Sequence, residues 1–137
     1  MMTETITAPQ AAKRCPEWQN MVAGEPYDAG HPELKAARER CRSLYHSFNT
    51  SWQEKPERDA LLHELLGGRG DLCAINPPFF CDYGANIFVG ENFYANVGCT
   101  ILDVCEVHIG DNVLLAPGVQ IYTAAHPVAV APRIKGV

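Results

Sequence analysis

Residues 87–121 read IFVGENFYANVGCTILDVCEVHIGDNVLLAPGVQI. Apolar or small residues recur there at Ile87, Val89, Phe93, Ala95, Cys99, Ile101, Cys105, Val107, Ile109, Val113, Leu115, Val119 and Ile121. The gaps alternate between two and four, broken by a two-residue insertion around Val107. An amphipathic helix gives gaps of three and four, and a half-buried hairpin strand gives an unbroken period of two. A six-residue unit is instead the mark of a parallel β-helix, in which three short strands make each coil.

The same stretch is homologous to itself. Val89 to Ile101 lies over Ile109 to Ile121, with Gly90 on Gly110, Asn92 on Asn112, Gly98 on Gly118 and Glu91 on Asp111. Glycine and asparagine are the residues that best tolerate the backbone of a tight corner. Residues 87–125 make about two coils of 18 residues. Cys99 and Cys105, one unit apart, are expected to stack inside the prism.

Composition bounds the remaining readings. At 137 residues and 47% hydrophobic, the chain suffices for one domain with a modest core. A net charge of −5 gives no electrostatic reason for nucleic acid as a partner. No run approaches the ~18 apolar residues of a membrane span, and Met1 to Lys13 lacks a secretory leader's design. The six cysteines contain no Cys-x-x-Cys pair and are read as reduced thiols, which places the protein in the cytoplasm.

Outside the repeat the chain divides into further parts. Residues 1–14 read as a flexible tail and 15–70 as a helical segment. Residues 71–128 read as the β-helix and 129–137 as an irregular end. His31-Pro32 opens a helix with Leu34, Ala37, Cys41, Leu44, Tyr45 and Phe48 on one face. Pro56 starts another, carrying Leu61, Leu62, Leu65 and Leu66, which Gly67-Gly68 stops. Those faces are expected to bury against the first coil, into which residues 71–83 lead. The Gly67-Gly-Arg-Gly70 run is no complete phosphate loop and reads as a helix stop.

Several stretches together resemble the maltose and galactoside O-acetyltransferases, a hexapeptide acyltransferase family. They are Met21-Val-Ala-Gly-Glu-Pro-Tyr-Asp28, Pro32-Glu-Leu34, Phe80 to Asn96, Ile101 to Asn112 and Leu115 to Pro127. The resemblance covers roughly residues 17–128. It implies a left-handed parallel β-helix after an N-terminal helical segment, a homotrimer, and acetyl transfer from acetyl-CoA to a sugar hydroxyl. The acceptor class implied is maltose, glucose or a galactoside.

Chemistry and resemblance meet at His126. A sugar hydroxyl needs a base to attack a thioester near neutral pH, and imidazole titrates in the useful range. His126, in Thr-Ala-Ala-His-Pro after the last coil, matches the family's catalytic histidine. Asp82 and Asn96 match acceptor contacts of the family, and Asp103 lies in the corresponding acidic region. Tyr94 and Asp28 are further candidates for the sugar. Without the resemblance, Asp82 and Asn96 read equally well as corner residues bonded to backbone. His108 and His126 lack a third histidine at strand-like spacing, so no metal is expected.

The chain departs from the family after Pro127, where it continues Val-Ala-Val-Ala-Pro-Arg-Ile-Lys-Gly-Val137 with no further repeat. The family's later coils hold much of its acetyl-CoA site, so no cofactor-binding residue carries over. The alternative reading is therefore a truncated, inactive relative or assembly partner.

Overall fold

The structure is a computed structural model describing residues 12–50 and 54–135. Eight short strands follow one another around a three-sided coil. They are β1 (Cys73–Ile75), β2 (Phe80–Cys81), β3 (Ile87–Val89), β4 (Phe93–Ala95), β5 (Thr100–Leu102), β6 (Val107–Ile109), β7 (Leu114–Leu115) and β8 (Gln120–Tyr122). The sheet orders are β1-β4-β7, β2-β5-β8 and β3-β6, and every pairing is parallel.

The register is constant. Cys73 lies against Phe93, Cys81 against Ile101, Ile87 against Val107, Ala95 against Leu115 and Ile101 against Ile121. Each step is 20 residues, not the 18 expected. The insertion around Val107 is thus no isolated break. The corner between the second and third sheets is two residues longer, between Cys81 and Ile87 and again between Ile101 and Val107. The winding also starts at Cys73, so residues 73–81 form two sides of the first coil and are not merely its approach.

Apolar side chains from alternate strand positions fill the prism: Cys73, Ile75, Cys81, Ile87, Val89, Phe93, Ala95, Cys99, Ile101 and Val107 are all buried. Cys105 does not join Cys99 there. It falls in the longer corner, where its thiol donates to the Met21 carbonyl at 3.3 Å.

Corner backbone groups that no strand partner reaches are met by a side chain from the next coil. Glu91 accepts from the N–H groups of Asp71 (2.9 Å) and Leu72 (3.3 Å), and Asp111 accepts from that of Glu91 (2.7 Å). Asn92 donates to Asn112 across one coil at 3.0 Å, both residues having positive φ. The sequence homology between Val89–Ile101 and Ile109–Ile121 is the imprint of this ladder.

The helical segment covers the first coil. α1 (Pro16–Ala23) buries Trp18 and Met21, α2 (Pro32–Thr50) buries Leu34, Ala37, Cys41 and Phe48, and α3 (Lys55–Leu65) buries Leu62 and Leu65. Cys41, Phe48, Leu62 and Leu65 join the core of the prism, while Trp18, Met21, Leu34 and Ala37 pack with Tyr83 and Ala85. Polar groups complete the cover. The Asn49 amide both donates to the Phe79 carbonyl and accepts from the Phe79 N–H, each at 2.8 Å. Arg58 donates to the Ile75 carbonyl (2.9 Å) and Lys13 to that of Ala85 (3.1 Å).

Two segments expected to be irregular hold helical residues. Residues 1–11 of the expected tail lie outside the described residues, but residues 12–14 are helical and Ala12 is fully buried. The expected irregular end holds a short helix, α4 (Val130–Arg133). No described helix is long and apolar enough to cross a membrane.

The joint between helices and coil is tight at Gly84. A Cβ added there would lie 2.3 Å from the Leu65 carbonyl oxygen, and its φ is +69°. Gly84→Ala is expected to destabilise the fold by about 2 kcal/mol or more, read as a lower midpoint in urea unfolding.

Candidate active site

The longer corners stack on one edge of the prism and carry half of the candidate residues, Asp82, Asp103 and His126. In the 20-residue register, Tyr83, Asp103 and Thr123 follow one another, as do Asn86, Glu106 and His126. The extra length leaves backbone N–H groups pointing inward, and buried donors need partners. Asp103 supplies them. Its Oδ1 accepts from the N–H groups of Asp82 (3.0 Å) and Tyr83 (2.9 Å), and its Oδ2 accepts from that of Asn86 (3.2 Å). Thr123 repeats the role one coil on, accepting from the Cys105 N–H at 2.9 Å and donating to the Leu102 carbonyl at 2.8 Å.

Asp103 was expected to face a sugar; the structure gives it another task. It is fully buried, and both oxygens are engaged with backbone. Its neighbour Val104 is the residue that reaches the groove beside this edge.

That groove, about 580 Å³, lies between the edge and the helical segment. Thr123, Ala124, Ala125, His126 and Pro127 form one wall, and Glu25, Pro26 and Tyr27, from the connection between α1 and α2, face them. The connection leaves α1 through Gly24, whose positive φ turns the chain while the Glu25 N–H caps the Asn20 carbonyl at 2.9 Å. His126 is exposed on the groove wall. Its position follows from the proline after it and from the corner that Thr123 holds.

A polar cluster adjoins the groove at Tyr27. Arg38, on α2, donates to the Tyr83 hydroxyl at 2.7 Å and to the Ala29 carbonyl at 2.6 Å, tying the connection to the first corner. Asp82 is half-buried; burial raises its carboxyl pKa, and the positive charges of Arg38 and Arg42 pull it back. Burial likewise raises the Tyr27 phenol, with Arg38 opposing. Sequence reading missed Arg38 and Tyr83. The available signal was an arginine directly beside the buried Ala37 on an amphipathic helix, a place where a charge needs a partner.

The other candidates are dispersed. Asp28 is exposed in the connection, where its Oδ1 accepts from the Gly30 N–H at 2.8 Å. Tyr94 lies on β4, its hydroxyl accepting from Asn76 at 2.9 Å, and Asn96 follows β4, accepting from the Val97 N–H at 2.8 Å. These last two belong to a different edge of the prism from His126, and neither lines its groove.

Comparison with known proteins decides the family. Residues 20–70 match the Mac family, the maltose acetyltransferase hexapeptide capping motif. The Saccharomyces cerevisiae protein YJL218W is 46% identical over 120 residues, covering 86% of this chain and 61% of that one. The crystal structure of a maltose O-acetyltransferase from Clostridium difficile 630 superposes with a TM-score of 0.85 at 44% identity, over 89% of this chain and 66% of that one. A galactoside acetyltransferase in complex with coenzyme A gives a TM-score of 0.82 at 36% identity, over 89% and 62%. The chain belongs to the maltose and galactoside O-acetyltransferase family. Its β-helix is accordingly left-handed. The chain spans 60–63% of the length of three curated relatives that it matches. Within this family, the helical cover described above is the capping motif.

Burying the Asp103 carboxylate has a measurable cost. Desolvation lifts its pKa from 3.8 to about 6, against the N–H groups of Tyr83, Gly84 and Asn86, which favour the charged form. Between those values the folded chain keeps a proton that the unfolded chain has released. Stability therefore falls as pH rises through that window, by on the order of 3 kcal/mol in full. Thermal melting of Asp103→Asn from pH 4 to 7 is expected to lose that downward slope. An unchanged slope in the variant would place the titration elsewhere.

Proposed function

We propose that this protein is an O-acetyltransferase that moves an acetyl group from acetyl-CoA to a hydroxyl of maltose, glucose or a galactoside-like sugar. The observation that carries the reading is the placement of His126 on the wall of the groove between the corner edge and the helical segment. The groove's volume is within the ~300–1,000 Å³ usual for small-molecule sites. Met21, Val104, Ala124 and Ala125 give it an apolar lining that suits an acetyl group and the arm behind it. No lysine or arginine is among its lining residues, so the phosphates of a bound CoA extend beyond them.

Acetyl-CoA supplies an activated acyl carbon with a thiolate leaving group. His126 takes the proton of the sugar hydroxyl as that oxygen bonds to the acyl carbon. The C–S bond breaks, and the imidazolium returns the proton to the departing sulfur. In this reading Asp82 and Asp28 accept hydrogen bonds from other sugar hydroxyls, and Arg38 favours the ionised form of Asp82. Asp103 acts at one remove, by holding the corner that presents Asp82. His126→Ala is expected to lower sugar-dependent release of free CoA thiol by ~10²–10⁴ in rate, with the fold intact by circular dichroism. Calorimetry with acetyl-CoA tests the donor side separately: a folded sample that gives no saturable heat sinks the enzyme reading.

The separation of Tyr94 and Asn96 from His126 supports a homotrimer. In a threefold ring one prism edge meets a different edge of its neighbour, so the Asn96 edge of one protomer completes the His126 groove of the next. Mixing inactive His126→Ala and Asn96→Ala chains after reversible dissociation is then expected to restore about one quarter of the wild-type rate, as random assortment dictates. No recovery from mixed trimers would mean that each site is built within one chain. The six cysteines are all free, which supports a reducing compartment such as the cytoplasm.

A further inference from the structure

A group of metal-ligand side chains lies at the starts of α1 and α2, among residues the transfer reaction does not use. Cys15 immediately precedes α1, His31 immediately precedes α2, and Glu33 is in the first turn of α2. One ligand atom from each, a sulfur, a ring nitrogen and a carboxylate oxygen, lies within 4.8 Å of the other two. Cys15 is 7% exposed, His31 is half-buried and Glu33 is exposed, so the group is walled on one side and open on the other.

Hydrogen bonding explains only part of this arrangement. The Cys15 sulfur accepts from the Trp18 N–H at 3.4 Å and lies in hydrogen-bond reach of Glu33. His31 Nδ1 is nevertheless buried with no partner, and an orphaned buried nitrogen costs ~1–3 kcal/mol. A cation bound among the three groups would give the imidazole a partner.

We propose that Cys15, His31 and Glu33 bind a zinc-class divalent cation. Thiolate, imidazole and carboxylate together are the donor set of such an ion, with water in the remaining position. Two metal–ligand bonds of ~2.0–2.3 Å span at most ~4.6 Å, so small side-chain rotations close the group onto one ion. The thiol releases its proton to solvent as the metal–sulfur bond forms, and the start of α1 stabilises the thiolate. The ion ties His31, at the end of the connection, to Cys15 at the start of α1, and that connection's Glu25, Pro26 and Tyr27 line the His126 groove. Its role is to hold that connection in place, apart from the transfer chemistry.

The test uses the full chain, chelator-stripped and kept reduced, titrated with Co²⁺ alone. One equivalent is expected to produce a near-ultraviolet thiolate-to-cobalt absorption that Zn²⁺ displaces, with a rise in melting temperature that chelator reverses. Cys15→Ser retains a helix-capping oxygen, and is expected to abolish the absorption and weaken binding at least about tenfold. His31→Asn leaves every thiol in place and is expected to weaken binding by a similar factor. No absorption from the wild-type chain at about 1 mM Co²⁺, absorption that survives Cys15→Ser, or unchanged affinity in either variant overturns the site.

Discussion

Everything in this molecule depends on a parallel backbone finding hydrogen-bond partners one coil away. The strands are two or three residues long, far too short to persist alone. They exist because the same register, 20 residues, holds on all three sides at once. Side-chain ladders repeat that register at the corners, from Asp111 to Glu91 to Asp71 and from Asn112 to Asn92. A change in the length of one corner would shift every later strand against its neighbour. The helical segment meets the same demand at the first coil, where Asn49, Arg58 and Lys13 bond backbone groups that have no preceding coil to reach.

The site grows out of the one corner that departs from minimal geometry. Two extra residues push the chain outward and leave unmet donors behind it. Asp103 and Thr123 fill that need from successive coils with different chemistry. Thr123 does so with a neutral hydroxyl, whereas Asp103 brings a carboxylate into a fully buried place and raises its own pKa. The carboxylate accepts three backbone N–H groups with two oxygens, which a hydroxyl cannot do. The stability lost by desolvation holds the backbone at Asp82.

Much of this architecture is legible in the sequence because apolar periodicity directly reports which side chains face inward. The six-residue spacing from Ile87 to Ile121, the apolar face of α2 and the glycines that close α3 all follow from local rules. Those rules misjudge the coil length, although Val89–Ile101 and Ile109–Ile121 align 20 positions apart. The first coil has Leu72 and Pro78 where later coils have asparagine and glycine, which makes the longer corner look like a single insertion. Cys105 has the spacing of an inward residue but occupies the added length, so periodicity misplaces it. Asp103 fails for a related reason: an acidic residue in a corner looks solvent-facing until the donors it serves are known. Arg38 and Tyr83 meet only through tertiary contact, over 45 positions, and no local pattern encodes that pairing.

A prism built this way has flat sides and convex edges, and a convex edge cannot enclose a ligand. Concavity has to be supplied by something leaning against it. In the chain itself that element is the connection between α1 and α2, fixed at one end by the Gly24 turn and at the other by Arg38 bonding to Ala29. Its Tyr27 and the His126 wall belong to parts of the sequence roughly 100 residues apart, so the groove's width is set by how firmly the helical cover sits on the first coil. The capping helices thus have two duties that cannot be separated. The contacts that shield the open rim of the first coil also determine where Glu25, Pro26 and Tyr27 stand relative to His126. A substitution at the buried joint, far from the groove, is therefore felt within it.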